Sequence, residues 1–235
     1  MNSHGRLILC SKSKGRAAIL RAANIEFEMK EPSIREEMQL GETPIGMVRR
    51  LAYCKAQAVA ISEAPCLAIG ADTIILNDKQ QILGKPGSRK RAIEMLKELS
   101  GRVHQVLTGI ALIGADFSVG NVAIGHNITN VTFKTLKMSQ IQSYVDACKT
   151  VDKAGAYAIQ CRGSDIIKHV EGCWTNIVGL PFGVLGALYF NEMSVSIIER
   201  IPMVDSANPA LFCLKNCSLN PKLHQKAICP FSQVF

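Results

Sequence analysis

Short apolar runs alternate with segments of helical period along most of this chain, and that alternation is its tightest constraint. Leu7-Ile8-Leu9-Cys10 breaks abruptly into polar residues and reads as a buried strand. Residues 16–23 read as a helix, 25–29 as a strand, and 32–44 as a polar, acidic loop. Met47, Leu51, Cys54, Ala58 and Ile61 follow helical spacing and predict a long amphipathic helix over 45–61. Residues 67–71 and 74–76 form a second apolar run, which turns at Asn77-Asp78 and returns through 81–83. Ser88 fits an N-cap for a helix to Leu99, closed by Gly101. Two long strands are expected over 103–113 and 119–133. A helix capped by Ser139 should follow to Cys148, then short strands over 156–160 and 166–170, then a helix over 182–189. Helices interleaved with strands, one strand pair being antiparallel, predict a three-layer α/β protein with a central mixed sheet.

The 235 residues suffice for one sizeable core, and glycine and proline divide the chain unevenly. All 18 glycines lie at or before Gly186, while Pro202, Pro209, Pro221 and Pro230 lie in the last stretch. Residues 1–198 are therefore read as one domain and 199–235 as an extension. The net charge of +8 favours anionic partners. Its strongest local groups are Lys12/Lys14/Arg16 and Arg89/Lys90/Arg91. No aromatic residues interleave with them, so no nucleic-acid partner is expected. The nine cysteines show no CxxC pair and no apolar leader precedes them, so reduced thiols in a cytoplasmic protein are expected. No apolar stretch reaches the length of a membrane span.

Several places could carry chemistry. Ser11-Lys12-Ser13-Lys14-Gly15-Arg16 joins a strand to a helix start, where free N–H groups, hydroxyls and cations attract phosphate; an ordinary capping turn fits equally. Asp72, in Gly70-Ala-Asp-Thr73, interrupts an apolar run, and a carboxylate there is costly without partners. A hairpin centred on Asp78-Lys79 would set Asp72 opposite Lys85, as a base or metal ligand or as a structural ion pair. Glu36-Glu37 offers oxygen ligands to a divalent cation, or is simply solvated. Asp152-Lys-Ala-Gly-Ala-Tyr-Ala-Ile-Gln160 and Asn176-Ile-Val-Gly-Leu-Pro181 bring small residues to places of close approach. His104 and His169 are read as structural.

Together these blocks resemble the Maf family of nucleotide pyrophosphatases, from about Leu7 to Leu188. They are Gly70–Thr73, Gly84–Pro86, Leu99–His104, Asp152–Gln160 and Asn176–Pro181, in that order. The resemblance implies a mixed sheet with a cleft between two lobes, commonly a homodimer. It also implies cleavage of a nucleoside triphosphate between its α- and β-phosphates with a divalent metal, Mg or Mn. Asp72 would be the catalytic carboxylate and, with Glu36, a metal ligand. Ser11, Ser13 and Arg16 match the phosphate-binding turn, and Lys55 and Lys85 match cationic positions. Thr73 and Gln160 match the branch that prefers dTTP and UTP. The family's Ser-x-Ser-Pro-Arg-Arg turn departs here to Ser-Lys-Ser-Lys-Gly-Arg, so Gly15 replaces an Arg and Lys14 a Pro. Two readings beside pyrimidine hydrolysis follow from that departure: nucleotide binding without useful turnover, and action on another base such as a modified purine. Restoring Arg at position 15 is expected to tighten triphosphate binding.

Overall fold

Asp72 and Thr73 sit on the strand that organises the molecule. The computed structural model describes residues 6–115 and 121–192; the extension and the tip of the long hairpin lie outside the described residues. In chain order the elements are β1 (Arg6–Leu9), α1 (Lys14–Ala22), β2 (Glu28–Met29), α2 (Pro44–Glu63), β3 (Cys66–Leu76), β4 (Ile82–Leu83), α3 (Arg89–Leu99), β5 (Val103–Ala115), β6 (Asn121–Phe133) and α4 (Met138–Cys148). Short 3-10 turns over Thr150–Asp152 and Ala154–Ala156 follow, then α5 (Gly163–Ile166), β7 (Ile167–Glu171), α6 (Trp174–Val178) and α7 (Phe182–Glu192). The sheet runs β2-β1-β3-β5-β6-β7, with β4 also on β3. β1 is parallel to β2 and β3, and the other pairs are antiparallel, so the sheet is mixed.

Strand alternation divides the core between two faces. On one face α2 packs on Ala68, Ile74, Leu76 and Leu107. The other face carries two apolar clusters. The first joins Ile69, Ala71, Ile110 and Leu112 to α1 and α7, and the second joins Ile75, Val106, Val131 and Phe133 to α3 and α4. Between these clusters the strands carry Thr73, Thr108 and Thr129 instead of apolar residues, the latter two fully buried. The same three long strands thus run through two lobes, with a polar belt where the lobes meet.

Two local expectations are corrected. Ser139 lies inside α4. Its N-cap is Lys137, whose backbone N–H donates to the Gln140 side chain at 2.8 Å in a capping box. Residues 156–160 form no strand, because the Tyr144 hydroxyl takes the place of a neighbouring strand. It accepts from the Ala158 N–H at 3.2 Å and donates to the Ala158 carbonyl at 2.9 Å. Cysteine chemistry is corrected too: Cys148 and Cys161 are disulfide-bonded, whereas Cys10, Cys54 and Cys66 are free thiols. Cys148 at the end of α4 faces the loop carrying Gln160, and adjacency in space outweighs a spacing that suggested nothing.

His104 is structural, as its lack of spaced partners suggested. It is 1% exposed, its Nε2 lies 2.9 Å from the Tyr157 hydroxyl, and its ring meets Phe133 and Tyr157 edge-on. Burial pushes its pKa down to about 4. The unfolded chain takes up this proton near the ordinary histidine value of about 6.5, while the folded chain resists until about pH 4. Stability is therefore full above pH 6.5 and falls as pH drops towards 4, where the loss reaches about 3 kcal/mol. Urea midpoints measured from pH 7 to 4 should show this decline. The slope should flatten in His104→Phe, even though that variant starts lower for want of the Tyr157 contact.

Candidate functional site

The middle of β3 lies beside a gap in the sheet. β1 pairs with β3 only over Cys66–Ile69, and β4 pairs with it only at Ile75 and Leu76. Residues 70–74 therefore have no strand on that edge among the described residues, while their other edge is fully paired with β5. The gap opens at the carboxyl end of a parallel strand, where α/β sheets commonly place ligands. Alternation points Gly70, Asp72 and Ile74 towards α2, and Ala71 and Thr73 towards α1.

On the α2 side, Asp72 is 6% exposed and Lys55 is 8% exposed. A buried carboxylate needs a partner, and Lys55 supplies it: its Nζ lies 2.6 Å from Asp72 Oδ1 and 2.6 Å from Glu36 Oε1. Glycine makes this reach possible. A Cβ at Gly70 would lie 2.0 Å from the Ala52 carbonyl oxygen, and one at Gly109 would lie 2.2 Å from that of Val48. The backbone of α2 therefore rests directly on the sheet, which brings Lys55 beside Asp72. Burial pushes the Glu36 carboxyl up, but the hydrogen bond from Lys55 and the charges of Lys55, Lys85 and Arg16 outweigh it and hold the group below its usual range.

The expected pairing of Asp72 with Lys85 is overturned. The hairpin pairs Ile75 with Leu83 and Leu76 with Ile82, so it turns about residue 79 and its ladder ends before Asp72. Asp72 lies opposite Gly109 of β5. Lys85 is exposed on a loop held by the Gly155 N–H to Gly84 carbonyl bond at 3.1 Å, and it reaches this site through its charge on Glu36. The backbone carbonyl of the neighbouring Glu37 accepts from Arg50 at 2.9 Å.

On the α1 side, residues 11–16 form the turn between β1 and α1. Ser13 is the N-cap of α1 and accepts from the Arg16 N–H at 3.3 Å. Ser11 Oγ accepts from the Ser13 N–H at 3.1 Å and from the Arg16 guanidinium at 3.1 Å. The guanidinium also donates to Thr73 Oγ1 at 3.1 Å and to the Gly179 carbonyl at 2.8 Å. Desolvation lowers the Arg16 pKa, opposed by the charges of Asp72 and Glu36. Position 15 faces Gln160: a Cβ there would lie 2.8 Å from Gln160 Nε2 and 3.0 Å from Val178 Cγ1. The absence of a side chain at Gly15 is what lets Gln160 approach the turn.

Three other basic side chains pair elsewhere. Lys12 pairs with Glu31, Arg89 with Asp146, and Arg91 with Glu94 and Glu98. Among the described residues no three His, Cys, Asp or Glu side chains gather to hold a metal ion. Glu36 and Asp72 are the carboxylates that converge, meeting at a single ammonium. Two hard oxygen donors fit a cation such as Mg²⁺, which takes its remaining ligands from substrate phosphates and water.

The sequence pattern of the Maf-like protein family matches residues 6–189. The chain belongs to the Maf family. Relatives run at about the same level. A dTTP/UTP pyrophosphatase of Desulforamulus reducens is 42% identical over 180 residues, covering 76% of this chain and 92% of that one. One from Clostridioides difficile is 41% identical over 195 residues, covering 83% and 99%. One from Acetivibrio thermocellus is 40% identical, covering 83% and 99%. In this Maf chain the site gathers residues from widely separated segments, and two that sequence reasoning gave no role belong to it. Gly179, at φ +106°, offers its carbonyl to Arg16, and a Cβ there would lie 3.1 Å from Thr73 Oγ1. Thr108 bonds Thr73 across the sheet at 3.0 Å. A threonine amid an apolar strand was the one available signal for the latter.

Proposed function

We propose that this chain is a nucleoside triphosphate pyrophosphatase acting on dTTP and UTP, releasing the monophosphate and pyrophosphate. The observation that carries the reading is the buried Asp72 at an unpaired stretch of strand edge, with Lys55 reaching it from one face and Arg16 clamped on the other. A gap in the sheet lets one elongated polyanion meet groups on both faces. The water oxygen bonds to the α-phosphorus, the bond to the α–β bridging oxygen breaks, and Asp72 takes the water's proton. Arg16, Lys55 and Lys85 supply positive charge as negative charge moves onto the leaving pyrophosphate. Glu36 and Asp72 would hold the divalent cation, Mg or Mn. When bound, it would polarise the phosphoryl oxygens.

Base choice is assigned to Gln160, whose amide has both donors and an acceptor to offer a pyrimidine edge. Gly15 shapes that choice. A side chain at 15 and the present position of Gln160 exclude each other, so Gly15→Arg displaces the amide instead of simply adding a phosphate contact. The test is pyrophosphate release from purified protein with Mg²⁺ against a panel of pyrimidine and purine triphosphates. Preference for dTTP and UTP is expected, and it should weaken in Gly15→Arg. Stabilisation by triphosphate without any product would identify a binding protein instead.

A further inference from the structure

Arg16 is held by a closed ring of hydrogen bonds whose direction is fixed. Its guanidinium donates to Thr73 Oγ1 at 3.1 Å; Thr73 and Thr108 hydroxyls lie 3.0 Å apart; Thr108 Oγ1 donates to the Asn176 carbonyl at 3.2 Å. The Gly179 N–H donates to that same carbonyl at 2.9 Å, and the Gly179 carbonyl accepts from Arg16 Nε at 2.8 Å. Arginine has no acceptor and a carbonyl has no donor. Thr108 therefore spends its proton on Asn176 and must accept from Thr73, which leaves Thr73 an acceptor for Arg16. The buried Asn176 is itself tied to β5 and β6, donating from Nδ2 to the Val106 carbonyl and to Thr129 Oγ1, each at 2.9 Å.

We infer that Thr108 and Asn176 are positioning residues that aim Arg16 at the substrate's phosphates. This rests on the proposed reading of Arg16 as a phosphate ligand. Arginine carries five N–H groups. Three are taken by Ser11, Thr73 and Gly179, leaving one free on each terminal nitrogen among the described residues. A guanidinium with a free N–H on each terminal nitrogen can meet two oxygens of a phosphate. The direction of these donors depends on the acceptors behind them, and those acceptors depend on Thr108 and Asn176. Neither residue has to touch the substrate.

The experiment is a double-mutant cycle read by calorimetric titration of inorganic tripolyphosphate in Mg²⁺, with melting temperatures recorded for every variant. Thr108→Val keeps the shape and removes the hydroxyl. It is expected to weaken binding about tenfold, the size of one charge-assisted hydrogen bond. Thr108→Ser should restore wild-type affinity, and Thr108→Val should add no loss in an Arg16→Ala background. Thr108→Ala enters the same cycle should the valine variant not fold. Unchanged affinity in the folded Thr108 variant overturns the inference, and so does an equal loss with and without Arg16. Because binding is the readout, a wild-type chain that binds tripolyphosphate yet cleaves no triphosphate refutes the proposed reaction while the cycle still decides this inference.

Discussion

Asp72→Asn should fold as the wild type does and lose about 10²–10⁴-fold in kcat, the usual cost of removing a general base. The substituted amide matches the carboxylate in shape and can still accept from Lys55, which also keeps Glu36 at 2.6 Å. The amide cannot take a proton from water. Single-turnover pyrophosphate release is the measurement, because it isolates chemistry from product release. A wild-type rate in this variant would remove Asp72 from the reaction. Glu36→Gln is the useful companion: it leaves the base in place, so its effect should fall more on metal dependence than on the rate at saturating metal.

Gly70→Ala should cost at least about 3 kcal/mol of stability, among the larger effects expected of a single methyl group. The added carbon would lie 2.0 Å from the Ala52 carbonyl oxygen and 2.8 Å from the Ala56 nitrogen, both backbone atoms of α2 that cannot rotate aside. The helix must lift from β3. Lys55, three residues beyond Ala52, then moves off Asp72, so whatever protein remains folded should also be less active. Gly84→Ala is the control, since nothing lies within 4 Å of a carbon added there. Urea titration with circular dichroism, run beside the activity assay, separates the two losses. A Gly70→Ala protein as stable as the control would show that α2 does not rest on the sheet backbone.

The same contact explains what the sequence hid. Met47, Leu51, Cys54, Ala58 and Ile61 look like the buried stripe of α2, yet Ala58 is exposed and Ile61 is 77% exposed. Met47 and Leu51 of that stripe are buried, but past them the helix turns Ala52, Ala56 and Ala60 to the sheet, with Lys55 among them. Hydrophobicity favours the larger residues, but close approach to Gly70 and Gly109 demands the smaller ones, and geometry wins. Asp72 was legible because a lone carboxylate in an apolar run is costly and needs a reason. Its partner was legible only through the family resemblance, which named Lys55, since hairpin symmetry pointed to Lys85 while the ammonium in contact comes from a helix earlier in the chain. The turn over 11–16 was legible from its strand-to-helix position. Gly179 and Asn176 were visible only as an unexplained block, because their work depends on backbone atoms meeting Arg16 from far along the chain. The strand predicted over 156–160 failed because one tyrosine hydroxyl meets the needs of that backbone.

The continuity of β3, β5 and β6 through both halves of the molecule has a mechanical consequence. Enzymes that clamp a nucleotide by swinging one domain over another need a flexible joint, and here the joint would be three hydrogen-bonded ribbons side by side. Rotation about them would break the ladder rung by rung. Nucleotide exchange in this architecture should therefore proceed by small displacements of the surrounding loops, with the jaws themselves held at a constant separation throughout the cycle.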